Sequence, residues 1–187
     1  LFTEVVTLAF PKRQDGEVLS EQQQGEQERA FDLLHSLRGI PGEREDGTID
    51  GPFLLKWVET AREFLKELDQ LGIGDDRIGT LLATARPDSN GNWPPPEVCD
   101  VVEQTASKAL DAGLQTGRFN LRGVTSRALD DGGAQERELA KVYETRAGAL
   151  EARWPRTAAI MRQLAQGYWA DAKRQDEQAD LTQDRWR

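Results

Sequence analysis

The 187-residue chain is poor in the residues that carry most metal and nucleophile chemistry, because it has one cysteine and one histidine. A lone Cys99 cannot form an intrachain disulfide, and a reducing, cytoplasmic location is the expectation that follows. Together with the single His35 it leaves too few ligands for the usual Cys/His zinc site. A Cys–His catalytic pair would need both residues, and a lone histidine on an amphipathic helix is more often structural. We therefore expect no cofactor and no metal.

Long apolar runs and phosphate-binding motifs are also missing. No stretch of 18 apolar residues occurs, so no segment is expected to span a membrane. Neither the GxxxxGK[ST] pattern nor GxGxxG is present, so no phosphate-binding motif indicates nucleotide binding. The sequence starts at Leu1 without a signal segment. We expect a piece of a longer protein, with residues 1–19 as the end of a preceding region or a linker.

Charge is abundant but unevenly distributed along the chain. The formal net charge is −9, with 24 Lys/Arg and 33 Asp/Glu. Residues 1–112 contain 11 Lys/Arg and 22 Asp/Glu, a net charge of −11, and residues 113–187 contain 13 and 11, a net charge of +2. The acidic front half argues against binding to a nucleic-acid backbone, which needs a cationic face. The rear half keeps open the binding of something smaller and anionic.

Helical periodicity dominates the sequence and predicts an all-α fold. Ser20 followed by Gln23 predicts a capping box at the start of a helix. Apolar residues over 53–71 recur at three- and four-residue spacing, as on one face of a helix. The glycines after this stretch are expected to end the helix, and Asp75 to cap the next one. The expected organisation is a single domain over 20–187, with helix–loop–helix units over 20–71 and 75–112, an irregular segment over 113–133, and a long antiparallel helical hairpin over 134–181.

The stretch EDGTIDG, residues 45–51, has the Asp-Gly-Thr-Ile-Asp pattern of many calcium-binding EF-hand loops. With Gly47 at loop position 6, however, Gly42, Arg44 and Phe53 fall where oxygen ligands are required. A second loop, over 86–97, has better candidate ligands but carries an arginine at its first position. Calcium binding is therefore predicted for neither loop.

The two loops also suggest an internal repeat of 44 residues. Aligning Gly91 with Gly47 also aligns Trp93 with Ile49 and Pro96 with Pro52. Each of these prolines is expected to open a helix. This period is in the range of two-helix repeats. We expect two helix–loop–helix units packed as a pair, with Ile49 and Trp93 close together at the loop contact. Coincidence is the alternative, because short glycine turns before a proline-started helix are common.

An arginine-containing segment, GRFNLRGVTSR over 117–127, is the candidate binding site. No acidic residue lies between Ala112 and Asp130. Arginine forks suit carboxylate or phosphate, and a helix start after Gly133 would add free N–H groups. The alternative is that these arginines are structural and pair with acids elsewhere. The candidate anion-binding residues are Arg118, Asn120, Arg122, Thr125, Arg127 and Gln135.

Four stretches carry a resemblance that covers the chain from about residue 30 onward: REDGTIDG, IGTLLATARPDSNGNWP, GRFNLRGVTSRALDDGGAQERELA and WPRTAAIMRQLAQGY. They resemble the C-terminal region of large bacterial proteins whose function is not settled. The resemblance implies an intracellular bacterial helical domain that is attached to a longer N-terminal part. It brings no catalytic residue with it.

The function predicted from these observations is a non-enzymatic interaction or scaffold domain of a larger bacterial cytoplasmic protein. Its expected partner is another protein or the N-terminal part of the same longer protein, with no membrane and no nucleic acid. The alternative is a small-anion binding or catalytic module that uses 117–133. A third interpretation is the end cap of a helical-repeat array. Oligomeric state stays open.

Overall fold

A computed structural model describes residues 1–11, 19–122 and 132–185 and confirms the all-α prediction. Within those ranges the chain forms eight helices and no strand. It forms two compact units, Leu1–Gly117 (unit 1) and Arg118–Arg187 (unit 2). The helices are α1 (Phe2–Ala9), α2 (Glu21–Ser36), α3 (Gly51–Glu67), α4 (Leu71–Leu82), α5 (Pro96–Thr105), α6 (Lys108–Asn120), α7 (Ala134–Leu150) and α8 (Pro155–Arg185).

The first helices of unit 1 begin with local hydrogen bonds that the sequence predicts. The Ser20 hydroxyl accepts the backbone N–H of Gln23, and the Gln23 side chain accepts the backbone N–H of Ser20, so the capping box at the start of α2 is confirmed. The segment expected to end a preceding region forms α1, which packs against α2. Val5, Ala9 and Ala30 are buried together at this contact.

The prediction that glycines end the helix before Asp75 is wrong. Helix α4 begins at Leu71 and contains Gly72, Gly74 and Asp75 in its first turns. The helical conformation is interrupted two residues before α4, at Asp69, which has a φ of 52°. Gly74 is required inside the helix because a Cβ there would overlap the side chain of Leu65. Close packing of α4 on α3 therefore overrides the low helix propensity of glycine.

The helix opened by Pro96, whose apolar spacing runs to Leu110, is interrupted in the structure, and the expected irregular segment over 113–133 is partly helical. The chain breaks at Ala106, in the left-handed conformation with a φ of 48°, and α6 then continues to Asn120. Residues 113–120 are therefore helical. Gly113 and Gly117 let α6 approach α4, since a Cβ at either position would meet the α4 backbone at Asp76 or Thr80. Residues 123–131 of the segment lie outside the described residues.

Unit 2 contains α7 and α8, which run antiparallel. Their connection is short because Trp154, before Pro155, leaves the helix. Tyr143 of α7 stacks on Tyr168 of α8 with ring centroids 5.6 Å apart, and the indole N–H of Trp169 donates to Glu144 at 2.8 Å. These pairs hold the two helices in register along their middle turns.

Candidate functional site

The two loops of unit 1 have one backbone turn in common, 44 residues apart. The Arg44 N–H donates to the Thr48 carbonyl at 2.8 Å, and the Asp88 N–H donates to the Asn92 carbonyl at 2.9 Å. The glycine before each carbonyl residue has a positive φ, 85° at the first loop and 79° at the second. The period read from the sequence therefore corresponds to a repeated turn geometry. Superposition of the flanking helices stays a prediction, as does the proximity of Ile49 and Trp93.

The loop carboxylates are used to build these turns. Asp46 accepts the backbone N–H and the hydroxyl of Thr48, at 2.9 and 2.7 Å. Asp88 accepts the backbone N–H groups of Asn90 and Asn92. Hydrogen bonds from Thr48 lower the pKa of Asp46, and those from Asn92 lower the pKa of Asp88. Among the residues that the structure describes, no three His, Cys, Asp or Glu side chains are grouped so that they could hold a metal.

The arginine at the first position of the second loop joins the two loops. Arg86 Nε donates to Glu43 at 2.7 Å, and its terminal nitrogens donate to the carbonyls of Arg44 at 2.5 Å and Glu45 at 3.2 Å. The positive charge between the two loops is therefore that of a protein side chain, the Arg86 guanidinium. The sequence indicated only that Arg86 opposes a metal ion, and its bonds to the first loop were missed because they link residues more than 40 positions apart.

Two of the predicted anion-binding residues have partners in unit 2. Arg122 donates to Glu136 at 2.7 Å, and the side chains of this pair are 18% and 1% exposed. The guanidinium of Arg122 also lies over the ring of Tyr168, 5.5 Å from its centroid. Arg118 Nε donates to the hydroxyl of Tyr143 at 3.1 Å. The two arginines therefore meet a stacked tyrosine pair.

The other predicted site residues are not part of this arrangement as far as the structure describes it. Asn120 is exposed in the last turn of α6, and Gln135 is exposed in the first turn of α7. Thr125 and Arg127 lie outside the described residues. Of the six candidate residues, Arg118 and Arg122 are the two that the described part of the chain brings to the tyrosine pair.

A third arginine, which the sequence analysis missed, lies beside the tyrosine pair. The guanidinium of Arg146 is positioned over the ring of Tyr143, 5.4 Å from the centroid. Burial, together with the charge of Arg118, lowers the pKa of Arg146. Burial likewise raises the pKa of Tyr168. Arg146 was not found from the sequence because it stands in an ordinary amphipathic helix, 28 residues after Arg118.

Helix α3 presents an apolar face that the rest of unit 1 leaves uncovered. Phe53, Phe64 and Leu68 are 53%, 42% and 38% exposed. Together with Trp57 they follow a spacing of 4, 7 and 4 residues, which places them on one side of the helix. We call these four residues the α3 stripe. The apolar spacing over 53–71 did not separate them from the buried residues of α3, which are Leu54, Val58, Ala61 and Leu65.

The α3 stripe is continued at both ends by residues outside α3. The rings of Phe2 and Trp57 meet edge to face with centroids 5.1 Å apart. At the other end, Leu68 lines a pocket of about 390 Å³ together with Leu8 and Gln70. Leu8 is itself 53% exposed. The apolar surface of unit 1 therefore extends from α1 along α3.

The only histidine and cysteine do not form a nucleophile–base arrangement that substrate could reach. Cys99 is fully buried. His35 is exposed, with its Nδ1 2.9 Å from the carbonyl oxygen of Phe31 and its ring packed on that of Phe31. Both residues therefore have structural surroundings.

Comparison with known protein families, curated proteins and solved structures finds no match to this chain. None of the described helices has the length and apolar character needed to cross a membrane. Assignment of a function therefore depends on the geometry of the α3 stripe and of the arginine–tyrosine cluster.

Proposed function

We propose that unit 1 is a non-enzymatic protein-interaction module that binds a basic amphipathic helix of a protein partner along the α3 stripe. The observation that carries this proposal is the exposure of Phe53, Phe64 and Leu68 on one side of a well-packed helix. Scattered exposed apolar residues are normal, but a contiguous apolar surface is typical of an interaction site. Aromatic residues are also enriched at the centres of protein interfaces.

Charge selects the chemistry of the partner. Residues 1–117 have a net charge of −11, since residues 113–117 add no charged side chain to the 1–112 total. Glu59, Glu63 and Glu67 are exposed on α3 itself. A cationic helix would place lysines or arginines against Glu67 and Glu63, which are nearer to the stripe than Glu59, while its apolar face covers the aromatic rings. A second copy of the same acidic unit would instead be repelled.

The wider context of this proposal comes from the sequence. The resemblance to C-terminal regions of large bacterial proteins and the single cysteine favour a scaffold or interaction role within a larger bacterial cytoplasmic protein. The surroundings of Cys99 and His35 support a non-enzymatic function. The basic helix is assigned to a separate protein, and occupation by the N-terminal part of the same longer protein is an alternative that the experiment below addresses.

The test is a calorimetric titration of the protein with an 18-residue helical peptide of leucine and lysine, compared with a leucine–glutamate peptide of the same pattern. The basic peptide should bind, and binding should weaken as salt increases. Each of Phe53→Ser and Phe64→Ser should weaken it by about tenfold, as expected for aromatic anchors. The matched control is Leu33→Ser on α2, where a leucine is 44% exposed outside the stripe.

Equal binding of both peptides, or the same loss in Leu33→Ser as in Phe53→Ser, contradicts the proposal. Sedimentation at several protein concentrations supplies a second readout. Dimers that disappear in Phe53→Ser would assign the α3 stripe to a second copy and not to a basic helix. If the longer protein no longer binds the peptide, its own N-terminal part occupies the stripe.

A further inference from the structure

We propose that Arg118 and Arg146, which both contact Tyr143, form a binding site in unit 2 for a divalent oxyanion of the phosphate or sulfate type. This inference is independent of the α3 stripe, which belongs to unit 1. It keeps the anion chemistry predicted for 117–133 but changes the residues. Arg122 is replaced by Arg146, because Arg122 is already paired with the buried Glu136.

The first observation is the arrangement of positive charge around one ring. Arg118 Nε donates to the Tyr143 hydroxyl at 3.1 Å, and Arg146 lies over the ring of the same tyrosine. The opposing tyrosine, Tyr168, stacks on Tyr143 with an interplanar angle of 10°. Two guanidinium groups are thus positioned by a rigid aromatic pair, so that little conformational entropy would be lost when they bind an anion.

The second observation is that Arg146 has no counter-ion among the residues that the structure describes. Within residues 1–11, 19–122 and 132–185, no carboxylate lies within 4.0 Å of its guanidinium. Its contact with Tyr143 is to the aromatic ring and uses none of its N–H donors for a conventional hydrogen bond. Arg146 is half-buried, so its charge is partly withdrawn from water, which is unfavourable for an ion without a partner.

The charge of the cluster determines the class of ligand. Two neighbouring guanidinium groups repel each other, and the lowered pKa of Arg146 reflects both burial and the charge of Arg118. An oxyanion would accept charge-assisted hydrogen bonds from the unused donors of Arg146, and the positive charge of Arg118 acts at the same place. A dianion is attracted to this positive charge more strongly than a monocarboxylate is. Phosphate and sulfate are therefore expected to bind more tightly than acetate.

The experiment is calorimetric titration of the full chain with inorganic phosphate, sulfate and acetate at constant ionic strength. Phosphate and sulfate should give saturable binding, and acetate should be at least tenfold weaker. Arg146→Gln should weaken phosphate binding by about tenfold or more, because it removes a charge-assisted interaction. Arg146→Lys, which keeps the charge but loses the planar fork, should give an intermediate affinity.

The matched control is Arg153→Gln. Arg153 also lies over an aromatic ring, that of Trp154, at 4.2 Å, but it is exposed in the connection between α7 and α8. This variant should bind phosphate like the unaltered protein. Circular dichroism should show that each variant keeps its helix content. No saturable phosphate or sulfate binding at millimolar concentrations, or equal losses in Arg146→Gln and Arg153→Gln, overturns the proposal.

Discussion

Removal of the Arg122 side chain is the change whose effect the structure defines best. Arg122→Ala leaves Glu136, of which 1% is exposed, without its guanidinium partner. Loss of one member of a buried ion pair costs about 3–5 kcal/mol, because the remaining charge stays desolvated. Arg122 is 18% exposed and Glu136 makes a further contact. We therefore expect the lower end of this range, about 3 kcal/mol of unfolding free energy.

The measurement is equilibrium unfolding in urea, followed by far-ultraviolet circular dichroism and by the tyrosine signal of the Tyr143–Tyr168 stack. A loss of about 3 kcal/mol lowers the urea midpoint by about 1–3 M for a small unit. The control is Arg137→Ala, since Arg137 pairs with Asp176 at the surface and should cost less than about 1 kcal/mol.

A double variant separates the cost of an unpaired charge from the value of the pair. Arg122→Met combined with Glu136→Leu removes both charges and keeps similar volumes, so it should be much closer to the unaltered protein than Arg122→Ala. If Arg122→Ala and Arg137→Ala have equal small effects on the free energy of unfolding, Glu136 does not depend on Arg122 as a buried charge depends on its partner. Our reasoning is then refuted, as it is if the double variant is as unstable as the single one.

Two further predictions concern packing and pH. Gly113→Ala should destabilise unit 1 by about 1–3 kcal/mol in a thermal or urea melt, because the added Cβ overlaps the backbone at Asp76, whereas Gly72→Ala, with open space around it, should be neutral or slightly stabilising. The hydrogen bond from the Gly133 N–H, with help from Arg137, lowers the pKa of Asp176. The ionised Asp176 carboxylate should therefore stabilise the fold fully above the pKa of the unfolded state, near 3.9. This stabilisation should be lost as pH falls through the lower pKa that Asp176 has in the folded state. The loss of stability in acid should be smaller in Asp176→Asn.

The sequence by itself determined the features that depend on hydrogen bonds between near neighbours. The Ser20–Gln23 capping box spans three residues, and the repeated turns around Gly47 and Gly91 need a positive φ that glycine adopts without strain. Helical periodicity likewise established the all-α class, because an apolar face of period 3.6 has no other way to be buried. These signals are local, so they can be recognised in a short stretch of sequence without knowledge of the rest of the chain.

Tertiary structure alone decided the partners of the charged residues. Arg86 bonds to residues more than 40 positions away, and Arg122 pairs with Glu136 instead of remaining available to a ligand. Arg146 became a candidate only when folding brought Arg118 to Tyr143, which precedes Arg146 by three residues on α7. No local pattern encodes these choices, since a guanidinium group can reach many acceptors and the fold determines which of them is near.

Packing also decided which apolar and glycine positions are buried. Gly74 was expected to end a helix and Gly113 to begin an irregular segment, yet both lie inside helices where neighbouring groups approach closely. Phe53 and Phe64 share an apolar sequence pattern with the buried residues of α3, yet they are exposed because the apolar arc of α3 is wider than the surface that its neighbours cover. A helical pattern specifies which residues share a face, and only the assembled fold specifies how much of that face is covered.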